Sequence, residues 1–173
     1  MDRVLFRNQY LAVIDRDGYT FSREVRCDGV LVAVLPFRIQ GDTVEFLARL
    51  EVCPAHGPEP ELCSITGGLE PRKTVIESAQ QEVWEEAGYA VKIPELVSLG
   101  QVCPSKSADT LVYLFAVDVT AKCQHVALGD GSYLEKNAAV KWVHYEQGVH
   151  INDPLFVTAM ARLQCLKMYR HRE

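Results

Sequence analysis

The sequence predicts a mixed α/β fold in which helices cover a β-sheet. Short apolar or alternating segments fill the first half of the chain, one long capped helix follows, and further strands precede a last helix. The chain has 173 residues, 48% of them hydrophobic and 24% charged, which is the size and balance of one ordinary globular domain. We therefore expect residues 1–173 to form a single domain, with residues 1–28 as an N-terminal strand region.

The first half is expected to consist mainly of strands. Residues 10–14 and 19–26 flank an Asp-Arg-Asp-Gly turn sequence, so they predict two short strands. Residues 29–37 are nearly all apolar, which indicates a strand buried on both faces. Residues 44–50 alternate between apolar and polar side chains, the period of a half-buried strand. The glycine- and proline-containing segment 53–61 is predicted to be a loop.

The clearest helix is predicted after Thr74. Thr74 and Glu77 have the spacing of a capping box, in which each side chain satisfies a free backbone amide of the first turn. Gly88 supplies a C-terminal stop. A stripe of apolar residues at four-residue spacing is expected to face the core: Val75, Ala79, Val83 and Ala87.

The second half is predicted to return to strands and to end in a helix. A brief strand at 62–66 leads into the glycine pair, and strands are expected at 96–103, 110–120 and 139–144, with an irregular segment at 123–137. Asp153 and Pro154 suit the N-cap and first position of a final helix. Its predicted core residues are Leu155, Ala159, Leu163 and Leu166.

Charge and hydropathy disfavour several classes of function. The formal net charge of -5 gives no general attraction for a phosphate backbone, so we expect no nucleic-acid partner. The N-terminus lacks the layout of a signal peptide, and no apolar run is long enough to span a membrane. These features predict a cytoplasmic protein without a membrane partner.

The six cysteines are scattered and form no Cys-x-x-Cys pair. Cys53 and His56 make a Cys-x-x-His step, and Cys63 is close enough in sequence to suggest zinc, but a fourth ligand is not evident. We expect free, mostly buried thiols in a reducing compartment instead.

Three carboxylates gather on the predicted helix. Glu82, Glu85 and Glu86 fall on one face within about 100° of arc, away from the apolar stripe. Oxygen ligands of this kind suit hard divalent cations. A solvated acidic face is the alternative, because like charges at helical spacing cost only about 0.2–0.5 kcal/mol per pair.

Residues 67–89 resemble the motif of the Nudix hydrolase family, G-x5-E-x7-R-E-U-x-E-E-x-G-U, where U is bulky and apolar. The matching residues are Gly67, Glu82, Val83, Glu85, Glu86, Gly88 and, loosely, Tyr89. Two positions depart: Lys73 stands at the first glutamate and Gln81 at the arginine, which in the family orients a glutamate of the motif. A shortened loop would let Glu70 or Glu77 substitute.

The resemblance implies a Nudix fold, with a mixed sheet between helices, and an activity. The resemblance covers most of the chain and is to the branch of the family that hydrolyses ADP-ribose and nucleotide sugars. It implies that Glu82, Glu85 and Glu86 hold Mg²⁺ or Mn²⁺. Glu82 and Glu86 would be catalytic, and Glu135 would be the general base, an exposed loop carboxylate being its alternative. The expected substrate-binding residues are Arg49, Glu61, Gly67 and Gly68; the alternative for Arg49 is a surface charge.

The implied partner is a small nucleoside diphosphate derivative, and the resembled branch is usually dimeric, so a homodimer is expected. Because of Lys73 and Gln81, a catalytically weakened nucleotide-binding or regulatory module stays open as a second interpretation. A Nudix pyrophosphatase for other nucleotides is a third.

Overall fold

The structure of the chain is a computed structural model that describes residues 1–127 and 138–166. The strands are β1 (Asp2–Arg7), β2 (Leu11–Arg16), β3 (Tyr19–Glu24), β4 (Val30–Gln40), β5 (Thr43–Val52), β6 (Pro60–Cys63), β7 (Ile65–Gly68), β8 (Val97–Val102), β9 (Leu111–Asp118) and β10 (Ala139–His144). The helices are α1 (Val75–Ala87), α2 (Tyr145–Gly148) and α3 (Pro154–Cys165), and a 3₁₀ turn spans Ile93–Glu95.

The larger sheet is mixed. Its strands run in the order β10-β5-β4-β9-β8, with β6 beside β5 and β7 beside β4. Strands β4 and β9 pair in parallel, whereas β5 and β7 are antiparallel to β4. The predicted strand at 62–66 is in fact two, because Ser64 separates β6 and β7, which pair with different neighbours.

A hydrophobic core lies on each face of this sheet. Along β4, Val32 and Val34 belong to the core beneath α1, whereas Ala33 and Leu35 belong to the core beneath α3. The prediction that this strand is buried on both faces is confirmed. The sheet therefore lies between α1 and α3, and the predicted α/β fold class, a mixed sheet between helices, is confirmed.

The N-terminal residues form a separate three-stranded sheet in the order β1-β2-β3. Its small core contains Ala12, Ile14 and Phe21. Arg23 of β3 forms a salt bridge of 2.6 Å with Asp109, which fastens this sheet to the loop before β9. Strand β1 was not predicted, because every one of its residues is exposed and no apolar alternation marks it.

The helix ends follow the predicted capping residues. Thr74 and Glu77 form the capping box of α1, and Gly88 ends it with a left-handed φ of 73°. Asp153 caps α3 by accepting a 2.9 Å hydrogen bond from the Leu155 amide. The prediction for Leu166 is wrong: it lies beyond the last residue of α3 and is half exposed, and the α3 side chains in the core are Phe156, Ala159, Met160 and Leu163.

Among the described helices, none is long and apolar enough to cross a membrane.

Candidate metal and phosphate site

The acidic face of α1, made by Glu82, Glu85 and Glu86, lies beside the glycine pair of β7. Strand β7 pairs with the buried strand β4 through Gly67 and Gly68, so both glycines have a fixed position against α1. A Cβ atom at Gly67 would overlap the carboxyl group of Glu82. Because Gly67 has no side chain, the carboxyl group of Glu82 can lie directly against the backbone of β7 at Gly67.

Glu86 occupies a buried position with a cationic partner. Its side chain is 8% exposed, forms an ion pair with Arg49, and accepts a 3.2 Å hydrogen bond from the Thr66 amide. Arg49 also bridges to Glu51 at 2.8 Å. We call this set, Glu86 with Arg49, Glu51 and Thr66, the buried flank of the acidic face.

The expected alternative for Arg49, a surface charge, is wrong. Arg49 is 3% exposed because β5 runs between β4 and β10, with β6 also beside it, and Arg49 itself pairs with Val140 and Cys63. A buried guanidinium must be paired to be tolerated, and its two carboxylate partners supply that pairing.

Glu85 lies in a more exposed network that contains both positions departing from the family motif. Gln81 donates from Nε2 to Glu85 at 2.8 Å and to Glu70 at 2.9 Å. Lys73 donates to the Gln81 side-chain oxygen and pairs with Glu70 at 2.6 Å. We call this set, Glu85 with Gln81, Glu70 and Lys73, the exposed flank.

Lys73 and Gln81, the two residues that depart from the family motif, contact each other, so the two departures form one local arrangement. The hydrogen bond from Lys73, with a second from Gln81, lowers the pKa of Glu70 below its ordinary value. Glu77 is occupied elsewhere: its bonds to the Thr74 amide and hydroxyl form the helix cap and lower its pKa. Of the two substitutes left open by the sequence, Glu70 therefore joins the network at the motif, and Glu77 does not.

The chemistry of the donor set fits a hard divalent cation, since three carboxylates occupy adjacent turns of one helix face. Protein groups already engage two of these carboxylates: Glu86 pairs with Arg49, and Glu85 accepts from Gln81. Within residues 1–127 and 138–166, a compact group of three candidate ligands occurs elsewhere, at Cys53, His56 and Glu61. Binding a cation on α1 would therefore require Glu86 to exchange part of its pairing with Arg49.

A cleft of about 390 Å³ adjoins the glycine pair. It is lined by Thr66, Gly67, Gly68 and Glu70, and by Arg26 from the segment after β3. Arg26, whose guanidinium is bonded to Glu24 at 2.6 Å, is a cation that sequence reasoning missed. No motif marks it, because the fold brings the N-terminal sheet to the cleft across a long stretch of sequence.

Two predicted site residues remain, Glu61 and Glu135, and Trp84 is a further exposed side chain of α1. Glu61 lies in β6 opposite Glu51 and contacts His56. Trp84 is 41% exposed, and its ring centroid lies 5.4 Å from that of His125. Glu135, the expected general base, lies outside the described residues.

Comparison with known proteins identifies the fold. No family model matches the sequence, and no curated protein matches it. A solved structure titled "Crystal structure of ADP compounds hydrolase" matches with a TM-score of 0.67 and 16% identity, covering 99% of this chain and 97% of that one. In all, 260 solved chains match, so the fold is common and does not by itself select an activity.

Proposed function

We propose that this chain is a divalent-metal-dependent hydrolase that cleaves the diphosphate of a nucleoside diphosphate linked to a sugar, of the ADP-ribose or UDP-sugar type, and releases a nucleoside monophosphate. The observation that carries the proposal is the side-chain-free surface at Gly67, which accommodates the Glu82 carboxyl group beside a cleft of about 390 Å³. The ADP-compound hydrolase of the same fold supports this class of substrate.

Three carboxylates would hold the cation, namely Glu82, Glu85 and Glu86. A Mg²⁺ or Mn²⁺ ion there supplies neutralisation of the diphosphate charge and a lowered pKa for an attacking water. Glu82 and Glu86 are the proposed catalytic ligands, and the Gln81 amide orients Glu85 through its 2.8 Å hydrogen bond. Glu135 is proposed to accept the proton of the water through its carboxylate.

The cleft walls would bind the substrate. Gly67 and Gly68 would let the diphosphate approach the backbone closely, and Arg26 adds to the lining of the same cleft a guanidinium that suits phosphate oxygens. Arg49 is a second cation near the acidic face, and with Glu86 serving as a metal ligand its guanidinium would be available in part for hydrogen bonds to phosphate. Glu61, also predicted to bind substrate, lies opposite Glu51 in the β5–β6 pairing and is not among the residues that line this cleft.

The test is release of nucleoside monophosphate from ADP-ribose and from UDP-glucose with Mg²⁺ or Mn²⁺. We expect turnover by the wild type and a loss of at least about 100-fold in Glu82→Gln and Glu86→Gln, since removing even an indirect supporter of a metal site costs 10–100-fold. Glu146→Gln, an exposed carboxylate of α2, is the matched control. Absence of wild-type turnover across a broad panel of diphosphates would overturn the proposal.

A nucleotide-binding module with little catalysis is the second candidate. Its supporting observation is that protein groups already satisfy Glu85 and Glu86, the latter through a buried arginine. Calorimetry distinguishes the two: tight binding of ADP-ribose without monophosphate release would favour the module.

We further propose a single cytoplasmic domain that forms a homodimer through the N-terminal sheet. Val4, Leu5 and Phe6 of β1 are each at least half exposed, an apolar stretch that a second copy would cover. Sedimentation of the wild type against a Leu5→Glu variant tests this arrangement, and a monomeric wild type would contradict it.

A further inference from the structure

The loop after β5 gathers three side chains that the proposed hydrolase site does not use. The ligand atoms of Cys53, His56 and Glu61 lie within 4.8 Å of one another. The three residues line a cavity of about 200 Å³, together with Cys63, Ser64, Asp153 and other residues. Thr66 lines both this cavity and the cleft beside Gly67, so the two sites are neighbours.

The local sequence explains why these three side chains meet. The Cys53 carbonyl accepts hydrogen bonds from the amides of His56 at 2.9 Å and Gly57 at 3.1 Å, which closes a tight turn with Pro54 at its second position. The turn brings the side chains of Cys53 and His56 together. The chain then returns as β6, whose pairing places Glu61 directly opposite Glu51.

A hydrogen bond between His56 and Glu61 accounts for only part of this arrangement. The Nδ1 atom of His56 contacts the Glu61 carboxylate, but that bond gives no reason for Cys53 to lie within reach of both. Glu51 and Glu61 also face each other across the strand pair, and like charges in this position are destabilising. Arg49 pairs with Glu51, and a cation at Glu61 would offset the second charge.

We propose that Cys53 Sγ, His56 Nδ1 and Glu61 Oε1 form a binding site for a zinc-class transition metal. A thiolate and an imidazole are ligands that zinc prefers and that magnesium does not, so the site is chemically distinct from the acidic face of α1. Three protein ligands leave a fourth position for water or another small ligand in the cavity. Tetrahedral zinc sites have ligand atoms about 3.3–3.8 Å apart, so small side-chain rotations from the present positions suffice.

The sequence suggested Cys63 as the third ligand, and zinc was not expected because a fourth ligand was not evident. The Cys63 thiol points instead to the Arg49 carbonyl at 3.6 Å and to Glu51 at 3.5 Å. The six cysteines are free as expected, but the prediction that most are buried is wrong, since Cys103, Cys123 and Cys165 are exposed.

Occupation of the site would fasten the loop to the buried flank. Glu61 pairs with Glu51 across the strands, Glu51 binds Arg49, and Arg49 binds Glu86 on α1. The metal would thus order the segment between β5 and β6 beside the Glu51–Arg49 pair. This role is independent of whether the acidic face is catalytic.

The experiment measures metal binding alone. The purified chain, first treated with chelator, is titrated with Zn²⁺ against a chromophoric competitor, and with Co²⁺ while the near-ultraviolet thiolate-to-cobalt charge-transfer band is recorded. With excess Mg²⁺ present to occupy the acidic face of α1, we expect one equivalent per chain that gives this band. Cys53→Ser should remove the band, and Cys53→Ser and His56→Gln should each weaken Zn²⁺ binding by about 100-fold or more, given the 10–100-fold cost of losing an indirect supporter alone.

Matched variants keep the proposal falsifiable. Cys103→Ser and His150→Gln alter an exposed thiol and an exposed imidazole elsewhere and should leave both readings unchanged. Cys63→Ala should also keep the cobalt band. His56→Gln changes a mostly exposed side chain, so its circular dichroism should match the wild type. Wild-type affinity and band in Cys53→Ser, or loss of the band in Cys63→Ala alone, would overturn the assignment, as would a wild type that binds no Zn²⁺.

Discussion

The two flanks of the acidic face of α1 hold their glutamates in opposite ways. On the buried flank, Glu86 is paired with a full positive charge, Arg49, that is almost completely enclosed. On the exposed flank, Glu85 is held by the neutral amide of Gln81, and the cation in that network, Lys73, is 35% exposed. Removing a partner from the buried flank costs much free energy of folding, whereas rearranging the exposed flank costs little.

This difference indicates that the buried flank stabilises the fold, whereas the exposed flank orients a carboxylate. A buried ion pair costs much free energy when one partner is lost, so Arg49 is expected to support the position of Glu86 in the fold itself. Hydrogen bonds among partly exposed side chains contribute little to stability, so Gln81 and Lys73 are expected to affect chiefly where Glu85 points. Variants of Arg49 should therefore lose more stability than variants of Gln81 or Lys73.

The largest effect on stability is expected for Arg49→Met. The change leaves the Glu86 and Glu51 carboxylates without their shared cation, and breaking a buried pair on one side costs about 3–5 kcal/mol. Urea unfolding measures it, with the exposed Arg7→Met as the control. The double variant Arg49→Met with Glu86→Gln should lose less than the sum of the single changes, because the buried charge is removed too. A loss below about 1 kcal/mol in Arg49→Met would contradict the buried-flank interpretation.

A large effect on metal binding, with a small one on stability, is expected for Gly67→Ala. The new Cβ would overlap the end of the Glu82 side chain, which is flexible and can move aside, so the fold should persist. The carboxyl group would then leave its position, and a misplacement of about 1 Å can cost roughly 100-fold in rate. Paramagnetic resonance of Mn²⁺ and monophosphate release measure the two consequences. Unchanged Mn²⁺ affinity in a folded variant would show that Glu82 does not need this surface.

A smaller effect is expected on the exposed flank from Lys73→Glu combined with Gln81→Arg. The double variant keeps one cation and one acceptor in contact, so its free energy of unfolding should change by less than about 1 kcal/mol. Each single variant should lose more unfolding free energy than the double variant. Because Glu70 already bonds Gln81, we expect only a few-fold change in turnover. A gain of a hundredfold would instead show that the wild-type network restrains catalysis.

The sequence predicted the parts of this site that depend on local spacing. The cap at Thr74, the stop at Gly88 and the common face of Glu82, Glu85 and Glu86 all follow from helical geometry over a few residues. The fold class followed from the same kind of pattern, summed over several elements. These features require no knowledge of how distant segments meet.

Sequence reasoning missed what depends on strand pairing and burial. Arg49 and Glu86 are far apart in sequence, and only the position of β5 between β4 and β10 shows that this arginine is buried against α1. The same holds for Glu61, whose contact with His56 follows from the register of β5 and β6. Arg26 likewise reaches the cleft only because the N-terminal sheet attaches near it.

The smallest effect is expected at the start of the same helix, where Glu77→Gln removes a charge but keeps a hydrogen-bond acceptor. Hydrogen bonds from Thr74 place the folded pKa of Glu77 below its ordinary value of 4.5, so its charge stabilises the fold above that pH. This contribution is lost as the pH falls through the folded pKa. The melting temperature of the wild type should therefore exceed that of the variant at pH 7 by a small margin that shrinks as the pH falls below 4.5. The exposed Glu59→Gln should show no such convergence, and a margin for Glu77→Gln that grows on acidification would reverse the assigned sign.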